Sequence, residues 1–221
     1  MSLISKLVMR FLIGAPLLAA ILFLPAGTLR YWQGWVFLAM WIVPALAIFS
    51  YFYKHDPVFL ESRMRRKETV REQQILVKIM YVVFAAILLL PGFDHRYGWS
   101  HPPVWLVIMA QAVVVGSYLT IFWVLKGNRF AAATIRVVPG QRVISDGMYG
   151  IVRHPMYLGA IVMFLFMPLA LGSYVGLAAA VPLIPILVLR LLNEEKVLRQ
   201  ELPGYAEYCL QTRFHLIPHF W

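Results

Sequence analysis

Six long apolar runs, separated by polar stretches, leave this chain few ways to fold. They lie near Val8–Leu24, Trp35–Phe52, Ile75–Leu90, Val104–Leu125, Met156–Leu171 and Tyr174–Leu189. Each is long enough, or nearly so, to cross a hydrocarbon layer of about 30 Å as a helix. Composition agrees: 61% of the 221 residues are hydrophobic and 14% are charged, against roughly 25% charged in a soluble domain. So much apolar surface cannot be enclosed in one water-soluble core. The expected fold is all-α: a polytopic membrane helix bundle of about six transmembrane helices, the last two joined tightly at Gly172-Ser173 as a helical hairpin.

Charge sets the expected orientation. With the N-terminus inside, all of the 20 Lys and Arg except Arg30 and Arg96 fall on the inner side or at inner helix ends. This asymmetry obeys the positive-inside rule and predicts cytosolic N- and C-termini. The net charge of +10 therefore reads as topology. No nucleic-acid motif accompanies it, so no nucleic-acid partner is expected. Lys6, Arg10 and the apolar run after them have the look of a signal peptide, but further spans follow, so the segment reads as a retained first helix. Trp32 and Trp35 suit the outer interface. The basic cluster Arg63, Arg65, Arg66, Lys67 and Arg71 reads first as an inner loop that fixes topology, and second as a contact for anionic membrane lipids. The chain divides into an N-terminal four-helix membrane region, 1–125, and a C-terminal region, 126–221, that carries the hairpin and a cytosolic tail.

Polar chemistry concentrates in the second region, beginning with Gly147-Met148-Tyr149-Gly150-Ile151-Val152-Arg153-His154-Pro155-Met156-Tyr157-Leu158-Gly159. The residue before a proline is biased away from helix, and proline is favoured in a first turn. A helix is thus expected to start at Pro155. His154 then sits where free backbone N–H groups and the positive end of the helix dipole favour an anion. Tyr157 adds an aromatic face, and Gly159 permits close approach of a ligand or another helix. Pro182 and Pro185 interrupt the sixth run. It ends in Arg190-Leu191-Leu192-Asn193-Glu194-Glu195, where Arg190 and Glu194 share a helix face. A short hairpin loop must bring that end back near His154. In the tail, Tyr205 and Tyr208 are three apart beyond the Pro203-Gly204 turn, and either pack under the bundle or line a cofactor. Asn128 either caps a helix end or lines the same site.

Other polar residues carry less. Cys209, the single cysteine, has no activating partner in the sequence. Around His95 and His101 no acidic or thiol partner completes a metal-binding set, Pro218 spoils a helical pairing of His215 with His219, and no metal site is expected. Side chains of both charge signs with aromatic rings suit a small polar, zwitterionic ligand at the inner face.

From about Lys126 onward the chain resembles the integral-membrane isoprenylcysteine carboxyl methyltransferases and phospholipid methyltransferases. The resemblance rests on Asn128-Arg129-Phe130, Gly147-x-Tyr149, Arg153-His154-Pro155-x-Tyr157-x-Gly159, Glu194-Glu195-x-x-Leu198, Tyr205-x-x-Tyr208 and Arg213. Gly147-Met148-Tyr149 replaces the family's commoner Gly-Pro-Tyr at a turn. The resemblance implies S-adenosylmethionine-dependent methyl transfer to a lipophilic acceptor arriving from the bilayer, with the site open to the cytosol. It implies cofactor contacts from His154, Tyr157, Gly159, Glu195, Tyr205 and Tyr208. Arg190 and Glu194 become the catalytic pair nearest the acceptor, and Asn128 a substrate contact. The acceptor is left open between a prenylcysteine carboxylate, an amino headgroup and another lipid, and oligomeric state is not legible. Two alternatives come from other classes: an NADPH-dependent membrane reductase of the sterol reductase type, which has more spans, and a non-catalytic membrane protein retaining the pocket. No Gly-x-Gly-x-x-Gly motif marks a soluble nucleotide-binding fold.

Overall fold

A computed structural model describes residues 3–65, 71–131, 135 and 137–221, and all regular structure among them is helical. The helices are α1 (Leu3–Ala26), α2 (Trp32–His55), α3 (Pro57–Arg65), α4 (Arg71–Tyr97), α5 (Val104–Gly127), α6 (Pro155–Ala170), α7 (Tyr174–Ala180), α8 (Leu183–Glu201) and α9 (Tyr205–Gln211). A 3-10 turn, Gly147–Gly150, lies between α5 and α6. In a bilayer a helix satisfies every backbone group within its own segment, so this architecture is what the apolar runs demand.

Among the described residues, 5 helical stretches are long and apolar enough to cross a membrane: Leu3–Ala26, Trp32–His55, Gln73–Tyr97, Val104–Gly127 and Tyr174–Glu201. The remaining expected span, α6, is apolar but has only 16 residues, about 24 Å at 1.5 Å per residue. The prolines explain why the last span is irregular. The chain leaves helical form at Val181-Pro182, which separates α7 from α8. Pro185 falls in the first turn of α8, where its missing N–H is tolerated. The short helix α3 begins at Pro57 and occupies the polar segment read as a loop. Its Arg63 donates to the Ala131 carbonyl, so this member of the basic cluster ties α3 to the chain after α5. Arg66 and Lys67 of that cluster lie outside the described residues.

The outward faces stay apolar. Leu12, Leu24 and Val82 are 67%, 75% and 71% exposed, which is tolerable only where the surroundings are lipid. Inside, Leu22, Phe37, Ile87, Val114, Met167 and Leu171 form one core that joins α1, α2, α4, α5, α6 and the hairpin turn. The main pairings are α5 with α6, α1 with α4, and α4 with α7. Close approach needs small residues, since lipid tails leave no hydrophobic driving force between helices. A Cβ at Gly92 of α4 would stand 2.9 Å from both the Leu22 carbonyl oxygen and Pro25 Cβ of α1.

The hairpin turn is fixed by a buried carboxylate at the far end of the bundle from the tail. Asp94 is 0% exposed. It accepts the Ser100 N–H at 2.7 Å and the Ser100 and Ser173 hydroxyls, each at 2.5 Å. Ser173 in turn caps α7, accepting the Gly176 N–H at 2.8 Å. With Tyr31 donating to the Leu171 carbonyl at 2.5 Å, three elements converge on Gly172-Ser173. This holds α6 and α7–α8 antiparallel and returns the end of α8 to the start of α6.

Candidate functional site

The site grows from the junction at Pro155. Proline opens α6 at its first position, and His154 before it takes φ −129° and ψ 60°, outside the helical region, as sterics against the ring require. The His154 carbonyl then accepts the N–H groups of Tyr157 (3.1 Å) and Leu158 (3.2 Å). The non-helical backbone just before α6 keeps its donors for the tail: Arg153 and His154 give their N–H groups to the carbonyls of Phe214 (2.9 Å) and His215 (3.0 Å). The last residues of the chain are thereby stitched beneath the hairpin.

Glu195 is the electrostatic centre of this seam. It is 4% exposed and lies 3.0 Å from Arg153 Nη1, 3.1 Å from His154 Nε2, 3.3 Å from His215 Nε2 and 3.6 Å from Arg199 Nη2. Arg153 also donates to the Arg213 carbonyl at 3.1 Å. Breaking one member of such a buried set leaves an uncompensated charge, so each holds the others in place. Glu195 thus orients His154 and anchors the tail, and its carboxylate faces this cluster.

A pocket opens beside the seam. His154, Tyr157, Glu194, Tyr205, Tyr208 and Asn128 all contribute to its wall, with Tyr149, Arg153 and the 141–144 segment completing it. Tyr157 is 7% exposed and donates its hydroxyl to Glu194 Oε2 at 2.6 Å. His154 meets the Tyr157 ring edge to face at 5.7 Å. Tyr208 donates to the Tyr149 carbonyl at 2.7 Å and so clamps α9 to the 3-10 turn. The Tyr205 hydroxyl, in contrast, is buried and has no hydrogen-bond partner among the described residues. Burial raises the pKa values of Tyr205 and Tyr208 well above the ordinary phenol value. Burial likewise pushes Tyr149 up to about 12, against a hydrogen bond with Asn128 that lowers it. All three phenols are hydrogen-bond donors at physiological pH, not bases.

Of the residues expected at a site, the remaining ones fall as follows. Asn128 unites its two readings: it ends α5, accepts the Phe130 N–H at 2.9 Å and lines the pocket. Arg190 stands one turn before Glu194 on α8, behind Tyr157, and is 8% exposed. It interacts with the Tyr157 hydroxyl and donates to Gln73 Oε1 of α4 at 3.2 Å. Gly159 is turned toward α5, where an added Cβ would lie 3.2 Å from Ile121 and 3.5 Å from Thr120. Its role in the fold is the close approach of a helix, the second of the two expectations for it. Arg153, Tyr149 and Gln73 were given no role in the sequence. The first two sit in recognisable motifs, and a buried arginine beside His-Pro was a usable signal. Gln73 offered none, since it meets Arg190 across 117 positions of sequence.

Fold and site together define a polytopic helical membrane protein with a polar pocket at one end of its hairpin. Residues 104–203 match the family model described as phospholipid methyltransferase, so a little under half of the chain is similar to that family. The match starts with α5, earlier than the motifs alone indicated, and ends before Tyr205, so α9 and the tail lie beyond it. A comparison with curated proteins finds no match for the chain.

Proposed function

We propose that the protein transfers a methyl group from S-adenosylmethionine to a lipophilic acceptor at the cytosolic face of the membrane. One observation carries this reading. Glu194, His154 and Tyr157 of the family-matched region meet Tyr205 and Tyr208 of the tail around one pocket, and the buried hydroxyl of Tyr205, a residue of its wall, has no hydrogen-bond partner among the described residues. A buried donor without an acceptor is costly, and a ligand that takes its hydrogen bond removes that cost. The donor set also fits the group. Carboxylate, imidazole and phenol rings in one wall suit a molecule bearing an ammonium, a carboxylate, a sulfonium and an adenine.

When bound, S-adenosylmethionine supplies a methyl group already activated on sulfur. The chain's task is then alignment and exclusion of water. Tyr205 would donate to the cofactor, with His154, Tyr157 and Tyr208 as the other residues that would hold it. Glu194, held by Tyr157, faces the acceptor with Arg190 behind it. If the acceptor ends in a carboxylate, Arg190 is the group that holds it, and if in an amine, Glu194 takes up the proton. The distribution of Lys and Arg supports a cytosolic opening. The acceptor enters sideways from the bilayer.

Incubating the purified protein with tritium-methyl S-adenosylmethionine, phosphatidylethanolamine vesicles and N-acetyl-S-farnesylcysteine tests this reading. Label should pass into the organic extract. Glu194→Ala should lower turnover by about 100-fold or more, the scale of a positioned acid–base group, with little change in cofactor binding. Turnover equal to the parent would remove Glu194 from the site.

A further inference from the structure

Arg190 is brought to its place by a residue outside both the recognisable motifs and the family-matched region. Gln73 lies in the first turn of α4 and is 2% exposed. Its Oε1 accepts a hydrogen bond from Arg190 Nη1 at 3.2 Å. On the other side, Arg190 interacts with the Tyr157 hydroxyl, which donates to Glu194 at 2.6 Å. Gln73, Arg190, Tyr157 and Glu194 therefore form one line of polar contacts from α4 to the pocket wall.

We propose that Gln73 is a positioning residue for methyl transfer, setting the Arg190 guanidinium, and through Tyr157 the Glu194 carboxylate, against the acceptor. The proposal rests on the reading of the pocket given above. Two features favour an orienting role over simple packing. An amide oxygen fixes a guanidinium without adding a charge, so Arg190 keeps its positive field. Gln73 also reaches α8 from α4, 117 positions away in the sequence, so the α4–α8 spacing governs where Arg190 points. An ångström of misplacement is enough to cost a large factor in rate when catalysis is mainly alignment.

The test is steady-state methyl transfer to the acceptor that proves active, phosphatidylethanolamine or N-acetyl-S-farnesylcysteine, together with S-adenosylmethionine binding by calorimetry. Gln73→Met keeps the volume but removes the acceptor oxygen, and Gln73→Asn falls one methylene short of Arg190. Each should lower kcat by about tenfold or more while the S-adenosylmethionine Kd stays within about twofold. Placed on Arg190→Lys, Gln73→Met should bring little further loss, since the two residues act as a unit. Unchanged kcat in a folded Gln73→Met or Gln73→Asn protein would overturn the assignment, as would losses that add fully to those of Arg190→Lys. A fall in cofactor affinity and thermal stability with kcat intact would reduce Gln73 to a packing role and also overturn it. A parent protein that binds no S-adenosylmethionine would overturn the reading of the pocket itself, and this proposal with it.

Discussion

Tyr205 and Tyr208 share one short helix, yet their hydroxyls do opposite things. That of Tyr208 is committed to the Tyr149 carbonyl at 2.7 Å, and that of Tyr205 is buried without a partner among the described residues. Tyr208→Phe should therefore cost about 1 kcal/mol of stability, the worth of an ordinary hydrogen bond, read as a lower melting temperature in detergent. Tyr205→Phe should leave melting unchanged or slightly raised, because it deletes an unsatisfied polar group. It should weaken S-adenosylmethionine binding by about fivefold, which is a similar free energy spent on the ligand instead. Equal binding by the two variants would contradict the division of labour. His154→Ala should also weaken binding, through loss of the ring that flanks Tyr157 and loss of a partner for Glu195. At this scale the residue types were legible in the sequence, but their partners were not. Three-residue spacing put both tyrosines on one face. Which one finds an acceptor depends on Tyr149, 59 positions away. Glu195 likewise was expected at the cofactor from its motif, but its ion pairs with Arg153, His154, His215 and Arg199 were not legible, because they form only when the tail folds back along residues 153–154.

At the scale of elements, hydropathy and proline placed the spans well. The start of α6 at Pro155 and the interruption at Pro182 both follow from local sterics, which a sequence states directly. The knot around Asp94 was not legible. A lone aspartate near the end of an apolar run gives no sign of the Ser100 and Ser173 donors that fold onto it from two other segments. Asp94→Ala would strand those donors in an apolar setting. It should destabilise the protein by roughly 3 kcal/mol, while Asp94→Asn, which keeps an acceptor oxygen, should cost less. Thermal unfolding in detergent checks the order. Because the turn at Gly172-Ser173 sets the return of α8, Asp94→Ala should also loosen the pocket at the opposite end of the hairpin.

For the whole molecule, orientation is the property on which the site's access depends. Charge distribution predicts both termini and the pocket on the cytosolic side. The single cysteine, Cys209 in α9, is partly exposed and makes a native reporter. In intact cells a membrane-impermeant maleimide should fail to label it, and should label Trp99→Cys in a Cys209→Ser background. The reverse pattern would invert the topology. The membrane architecture could be read from six apolar runs because a bilayer imposes helix and length on any chain that crosses it. The site could be read only through its motifs, since it is assembled from four separated segments whose contacts no periodicity encodes. The most direct test of the central claim is a side-by-side calorimetric titration of the detergent-purified protein with S-adenosylmethionine and NADPH. Saturable binding of S-adenosylmethionine alone is the predicted result. Binding of NADPH alone, or of neither by a folded sample, would contradict a methyltransferase pocket at this site.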